Sequence, residues 1–504
     1  MKPSRPDRRL FLGMLKPLPS TRWDFTTAAH LLNRAGFGGT PAEIEKLVAL
    51  GPEQAVSHFV DYEKIQDNTR DPDWAKPDPD RVERFMAARS APEEERKKMQ
   101  RQEQQTQRQH MLELKRWWLE RMASGPRPLQ EKMVLFWHGH FATSMEKVRD
   151  AYLMWRQNEL FRRLAMGNWL ELLTDVGKDP AMLVWLDQAQ SRKEHPNENF
   201  AREVMELFAL GEGHYTEKDI TEAARALTGW SYERRTQKFI ERPNAHDRGE
   251  KVIFGKRGNF DGEDFLKMVV DHPQAGRFIT AKLWDFFAGE MPSEELTTAL
   301  TSTFRHSGNH FKSVLRAIFL SEEFYAPQMI RNQVKSPVQW LVGSVRVLER
   351  ELPPPIVCLG LTRNLGQDLF APPNVKGWDG GLSWITTNTL LARYNEAATL
   401  VQGEMPAGAP AMLAKNPNAQ MQIERRMRNM EIGSVDPKKL FNATERSDKE
   451  ALVAALEKRL LQARLKPKQE TVLRDYLDSQ GELTDQAILN SIRLVMSTPE
   501  YQLT

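Results

Sequence analysis

Several features are scarce in this chain of 504 residues, and each scarcity removes a class of explanation. Cys358 is the only cysteine, which excludes an internal disulfide and any zinc site built from several thiolates. No run of 18 consecutive apolar residues occurs, so no transmembrane helix is expected. Charge of one sign is not in excess either: 71 Lys and Arg face 68 Asp and Glu, for a net charge of +3. That balance predicts neither a nucleic-acid partner nor an anionic membrane. No Walker A loop, paired-cysteine motif, His-Glu-x-x-His helix or Gly-x-Ser-x-Gly elbow is present, so these signatures identify no reaction.

What is present describes a globular protein: 40% hydrophobic residues, 28% charged residues and 13 tryptophans. Residues 1–20 form a basic N-terminal segment. Within it Asp7-Arg8-Arg9-Leu10-Phe11-Leu12 looks like a twin-arginine export motif, but Lys16, Pro17 and Pro19 interrupt the apolar stretch that should follow. Cytoplasmic residence is therefore the default expectation.

Helical punctuation dominates the rest. Thr40-Pro41-Ala42-Glu43 supplies a cap, a first-turn proline and a carboxylate at N3, ahead of Ile44, Leu47 and Val48. A helix from Thr26 to Arg34 is stopped by Gly36, Gly38 and Gly39. Another starts at Thr216 and ends at Gly229. Pro92 to Met122 reads as a long helix whose first half, charged or amide-bearing, projects into solvent. The predicted fold is mostly α, a large multi-helical domain over residues 21–402 with a small β-hairpin or extended insertion near residues 231–262. An irregular linker follows at 403–447, and then a C-terminal helical segment, 448–504, that packs back on the main domain.

Four polar constellations carry the candidate chemistry. In Phe136-Trp137-His138-Gly139-His140-Phe141 an extended backbone would place both imidazoles on one face, where neutral histidines ligate transition metals. A pair alone leaves such a site incomplete, and two buried, hydrogen-bonded histidines are the alternative. Asn199, Glu203 and Glu206 fall at i, i+4 and i+7 beside the apolar stripe Phe200, Val204, Leu207 and Phe208, a spacing that suits metal ligation or an acid/base pair. A surface ion-pair ladder through Arg202 explains the same residues. His246 and Asp247 sit on an irregular segment where Asp247 and Gly249 are also ordinary turn residues. In the Pro372–Trp384 loop, Trp378 and Trp384 are placed to stack on a sugar or a base, or to pack the loop on the core.

Ala29 to Gly38, Phe136 to Ser144, Asn197 to Gly211, Ala223 to Trp230, His246 to Lys251 and Pro372 to Trp384 together resemble the large, mainly bacterial Domain of Unknown Function 1800 family. The resemblance implies a largely helical fold and transfers no settled activity. It also implies a protein partner, because family members are often encoded beside a second family that carries export signals, and hence export by that partner. One cleft shared by these distant motifs is their simplest common explanation. In it His138, His140, Glu203 and His246 would hold zinc, iron or manganese, Glu206 or Asp247 would act as general base, and Arg225 would hold an anionic group. The product would be a metal-dependent hydrolase or oxidoreductase. The competing reading is a noncatalytic helical scaffold or assembly partner of the exported protein.

Overall fold

Recurrent capping chemistry decides where the helices begin. Thr40 accepts a hydrogen bond from Glu43 N while the Glu43 carboxylate accepts from Thr40 N, and Pro41 fills the first helical position of Pro41–Val60. The same reciprocal cap recurs at Asp24 with Thr27, at Thr216 with Asp219 and at Asp261 with Asp264. The computed structural model of the chain describes residues 15–404 and 432–504. The segment with Arg8 and Arg9 and residues 405–431 of the expected linker lie outside them. Beyond 432, short helices form at Pro437–Leu440 and Ala443–Ser447.

The fold is mostly helical, and among the described residues the named strands form two small antiparallel pairs. β1 (Trp230–Glu233) pairs with β2 (Lys238–Glu241), and β3 (Lys251–Ile253) pairs with β4 (Lys256–Gly258). The strands lie in the region the sequence pattern marks, but 238–240 and 252–254 do not pair with each other. Each closes on a nearer partner, which costs less loop entropy. The second turn is explicit: Phe254 at φ 47 and Gly255 at φ 74 supply the two left-handed residues of a tight hairpin.

Helix Glu93–Ser124 divides as its sequence requires, with its buried residues, including Met111, Leu114, Trp117, Trp118 and Met122, confined to the second half. Helix Pro128–His140 is different, because everything from Leu129 to His138, and again His140, is buried. Its polar residues Gln130, Glu131, Lys132, His138 and His140 must therefore find their partners inside the protein. The end of the chain returns to the main body. The Tyr501 and Ser344 hydroxyls lie 2.7 Å apart, Leu503 bridges Val334, and Arg34 donates to the carbonyls of Met329 and Thr504. These ties position the 332–339 segment. No helix of the described residues is long and apolar enough to cross a membrane.

Candidate functional site

Two helical faces meet across a cleft of ≈ 510 Å³. On helix Pro128–His140 the cleft residues are Lys132, Leu135, Phe136, Gly139 and His140, a 3.6-residue stripe. On helix Pro273–Ala288 they are Lys282, Asp285 and Phe286, followed by the capping Gly289. Asn332, Gln333, Ser336 and Gln339 line a third side, and Lys376, Trp378, Asp379 and Trp384 close the fourth. Glycine lets that last loop approach. Gly377, at φ +87, runs so near the Gly139 carbonyl that a Cβ would overlap it. The motifs at 136–141 and 372–384 thus build one surface.

His140 is its most distinctive group. Its Nε2–H donates to the Phe208 carbonyl at 2.9 Å, which fixes the tautomer and leaves Nδ1 a lone-pair nitrogen with no hydrogen-bond partner among the described residues. The residue is only 6% exposed. Burial, helped by the nearby Lys282 charge, holds the ring neutral well below the usual histidine range, although the Phe208 bond opposes this. Phe208 belongs to a π-helical turn, Val204–Ala209, that continues helix Glu198–Glu203. Carbonyls at a helix end lack intrahelical donors, and His140 satisfies one of them. Lys282 Nζ makes a longer 3.4 Å bond to the adjacent Leu207 carbonyl, at the end of the helix that favours cations.

Neither inner lysine makes an ion pair with a carboxylate among the described residues. Lys282 stands 4.7 Å from the Phe278 ring, and burial lowers its ammonium to about 8 against the pull of Asp285. Lys132 is buried against the Phe37 ring and donates to the Gln339 amide oxygen. Burial, then the Arg34 charge, hold Lys132 well below the lysine range. Burial also pushes the Asp285 carboxyl up, opposed by Lys282.

The extended backbone that would set both imidazoles on one face is not found at Phe136–Phe141. Those residues complete a buried helix, where positions two apart point about 200° away from each other. His138 accordingly leaves the cleft for an interior network. Asn158 Nδ2 donates to His138 Nε2 at 3.0 Å, while Asn158 Oδ1 accepts from Arg162 at 2.7 Å. Arg162 pairs with Glu131 at 2.7 and 2.9 Å, and Glu131 also accepts from Arg121 and Trp118. The Nε2 lone pair of His138 is thereby used in packing.

The remaining sequence-singled residues are dispersed. Burial and the neighbouring Glu206 raise the half-buried Glu203 carboxyl, while Arg202 and Lys376 oppose them. Glu206 accepts from the Tyr215 hydroxyl at 3.2 Å, and Asn199 reaches the Leu186 carbonyl at 3.4 Å. The π-turn that begins at Val204 takes more residues per turn, so each advances through less rotation and the regular i, i+4, i+7 strip is not maintained. Arg202 grips Glu217 through two 2.8 Å bonds and lies 3.6 Å from Glu198. Arg225 holds Asp247 at 2.7 and 3.2 Å and Glu222 at 3.0 Å, and His246 Nδ1 donates to the Thr228 carbonyl at 2.9 Å. These bonds tie the β2–β3 loop to helix Glu217–Ala226. Among the described residues no group of three or more His, Cys, Asp or Glu side chains is arranged to hold a metal ion, so His138, His140, Glu203 and His246 are not gathered at one point.

A family model described as a protein of unknown function, DUF1800, matches residues 30–503. The chain belongs to the DUF1800 family. No curated protein and no solved structure matches it. Both helical faces of the cleft and the Gly377 loop fall inside the DUF1800 match.

Lys132, Lys282 and Asp285 belong to none of the sequence motifs. One signal was available: Lys132 precedes His140 by eight residues, and Lys282, Asp285 and Phe286 share i, i+3, i+4 spacing, both helical periods. The distant segment Asn197–Gly211 does touch the cleft residues Lys282 and His140, but through the main-chain carbonyls of Leu207 and Phe208.

Proposed function

We propose that this DUF1800 chain is an enzyme that performs acid–base chemistry on a small molecule held in the His140 cleft. The observation that carries the reading is the unpartnered Nδ1 of a buried, neutral imidazole whose other nitrogen is fixed by the Phe208 carbonyl. Such a nitrogen accepts a proton from a bound hydroxyl, a water or an activated C–H, and Lys282 beside it stabilises developing negative charge. The glycine-seated loop supplies the wall that shields the reacting atoms.

Zinc, iron or manganese chemistry is the weaker form of the same proposal. His140 would be one ligand, with substrate and water filling other positions, because no trio of metal-binding side chains is arranged among the described residues. The scaffold alternative has its own support in the Glu131–Arg162–Asn158–His138 network, which explains a polar motif by packing alone.

The test is a metabolite panel screened first by thermal shift and then for turnover by mass spectrometry, with wild type and His140→Gln in parallel. Glutamine keeps an N–H donor for Phe208 but removes the base. The expected result is a ligand that stabilises both proteins and is converted by wild type about 10²–10⁴ times faster. Equal turnover by the two proteins, or ligands that bind only outside the cleft, would overturn the proposal.

A further inference from the structure

Three facts about the cleft concern charge, not proton transfer. Among the described residues, neither Lys132 nor Lys282 lies within ion-pair distance of a carboxylate, since their hydrogen bonds go to an amide oxygen and a main-chain carbonyl. The charge that acts on Lys132 is another cation, Arg34, itself buried and bonded to Gln333, Asn332 and main-chain oxygens. Finally, His140, itself buried and with no hydrogen-bond partner for Nδ1 among the described residues, is one of the residues that line the same cavity. Buried ammonium groups that make no direct ion pair are costly, Asp285 acting on Lys282 only from beyond ion-pair distance, and a cavity wide enough for a ligand gives a closer counter-charge somewhere to come from.

We propose that the cleft takes an organic anion, a carboxylate or phosphate carried on an apolar or aromatic body, whose charge is neutralised by Lys132 and Lys282. The aromatic faces of Phe136, Phe286 and Trp378 line the rest of the cavity and receive the uncharged body. Asp285 and Asp379 also line it and disfavour a second anionic group on the same ligand. The proposal rests on the reading that this cleft is the ligand site, but not on His140 acting as a base.

Proton linkage gives it a signature. Burial leaves both amines with fewer protons than free lysine, and an anion beside them restores their affinity for protons. By reciprocity, anion binding takes up protons near pH 8, where Lys282 is part-titrated.

Calorimetry near that pH, in two buffers of different ionisation enthalpy, tests this with three probes of one shape: benzoate, phenyl phosphate and neutral benzamide. Saturable binding of either anion, at least about tenfold tighter than benzamide and with proton uptake, is expected. The two anion arms separate a carboxylate from a phosphate ligand. Lys282→Met should lose about tenfold in anion affinity, Lys282→Arg should recover most of it, and Lys98→Met, exposed and outside the cleft, should change it little. Benzamide binding as well as the anions, or no saturation by either anion, overturns the proposal. A neutral metabolite converted in a His140-dependent manner would sink this inference while leaving the acid–base reading standing. The reverse pattern, anion binding with turnover indifferent to His140→Gln, would do the opposite.

Discussion

Replacing Gly377 by alanine probes how the cleft wall is held. An L-residue at φ +87 pays about 1–2 kcal/mol for the left-handed backbone. The new Cβ would also overlap the carbonyl oxygen of Gly139, a backbone atom that cannot rotate aside as a side chain does, and relief by shifting the loop adds about 1–3 kcal/mol. The sum, about 2–5 kcal/mol, is a large part of a typical folding stability of about 5–15 kcal/mol. Two other glycines separate the components. Gly255, in the β3–β4 turn, has φ +74 with nothing within 4 Å of a built Cβ, so alanine there should cost only the backbone component of about 1–2 kcal/mol. At Gly139, in the helix, a Cβ would make an ordinary contact 3.9 Å from the Trp378 ring, so alanine should be neutral or stabilise by about 0.5–1 kcal/mol. Urea midpoints at unchanged m-value report all three. If Gly377→Ala costs no more than Gly255→Ala, the loop is not seated on Gly139 and the cleft described above has a different wall.

Other outcomes follow from the same contacts. Glu131→Gln should destabilise the fold by about 3–5 kcal/mol in equilibrium unfolding, because it leaves Arg121 and Arg162 buried with their shared carboxylate removed. Nitrogen-detected NMR should show the His140 ring unprotonated at Nδ1 and still neutral below the usual histidine range, and a ring that protonates near pH 6.5 would contradict the assignment. For Lys282, lowered from its ordinary 10.5 to about 8, the unfolded chain binds more protons between those values, so its contribution to stability rises as pH climbs through that window. The wild-type-minus-Lys282→Met stability difference should grow by about 2 kcal/mol there, after allowance for solvent screening, and a flat difference would refute the shift.

The helices were legible because caps and apolar periods are local: Thr40 with Glu43 and Thr216 with Asp219 announce their helices within four residues. Strand pairing was less so, since the spacing of 238–240 and 252–254 does not reveal that each has a nearer partner. The two-residue spacing of His138 and His140 did not by itself decide whether they share a face. Two histidines two residues apart share a face only in a strand, and tertiary burial of the whole Pro128–His140 segment imposes a helix instead. The Pro372–Trp384 loop was marked by its composition, yet its place beside His140 depends on a backbone contact between two glycines that no side-chain pattern encodes. Lys132 and Lys282 were silent because lysine is ordinarily exposed, and only packing makes these two unusual.

The most direct test of the account is the rate ratio between wild type and His140→Gln for a ligand shown by crystallography to occupy this cleft. A loss of about 10²–10⁴-fold in turnover with binding retained is the predicted result. Unchanged turnover in a correctly folded variant would contradict it.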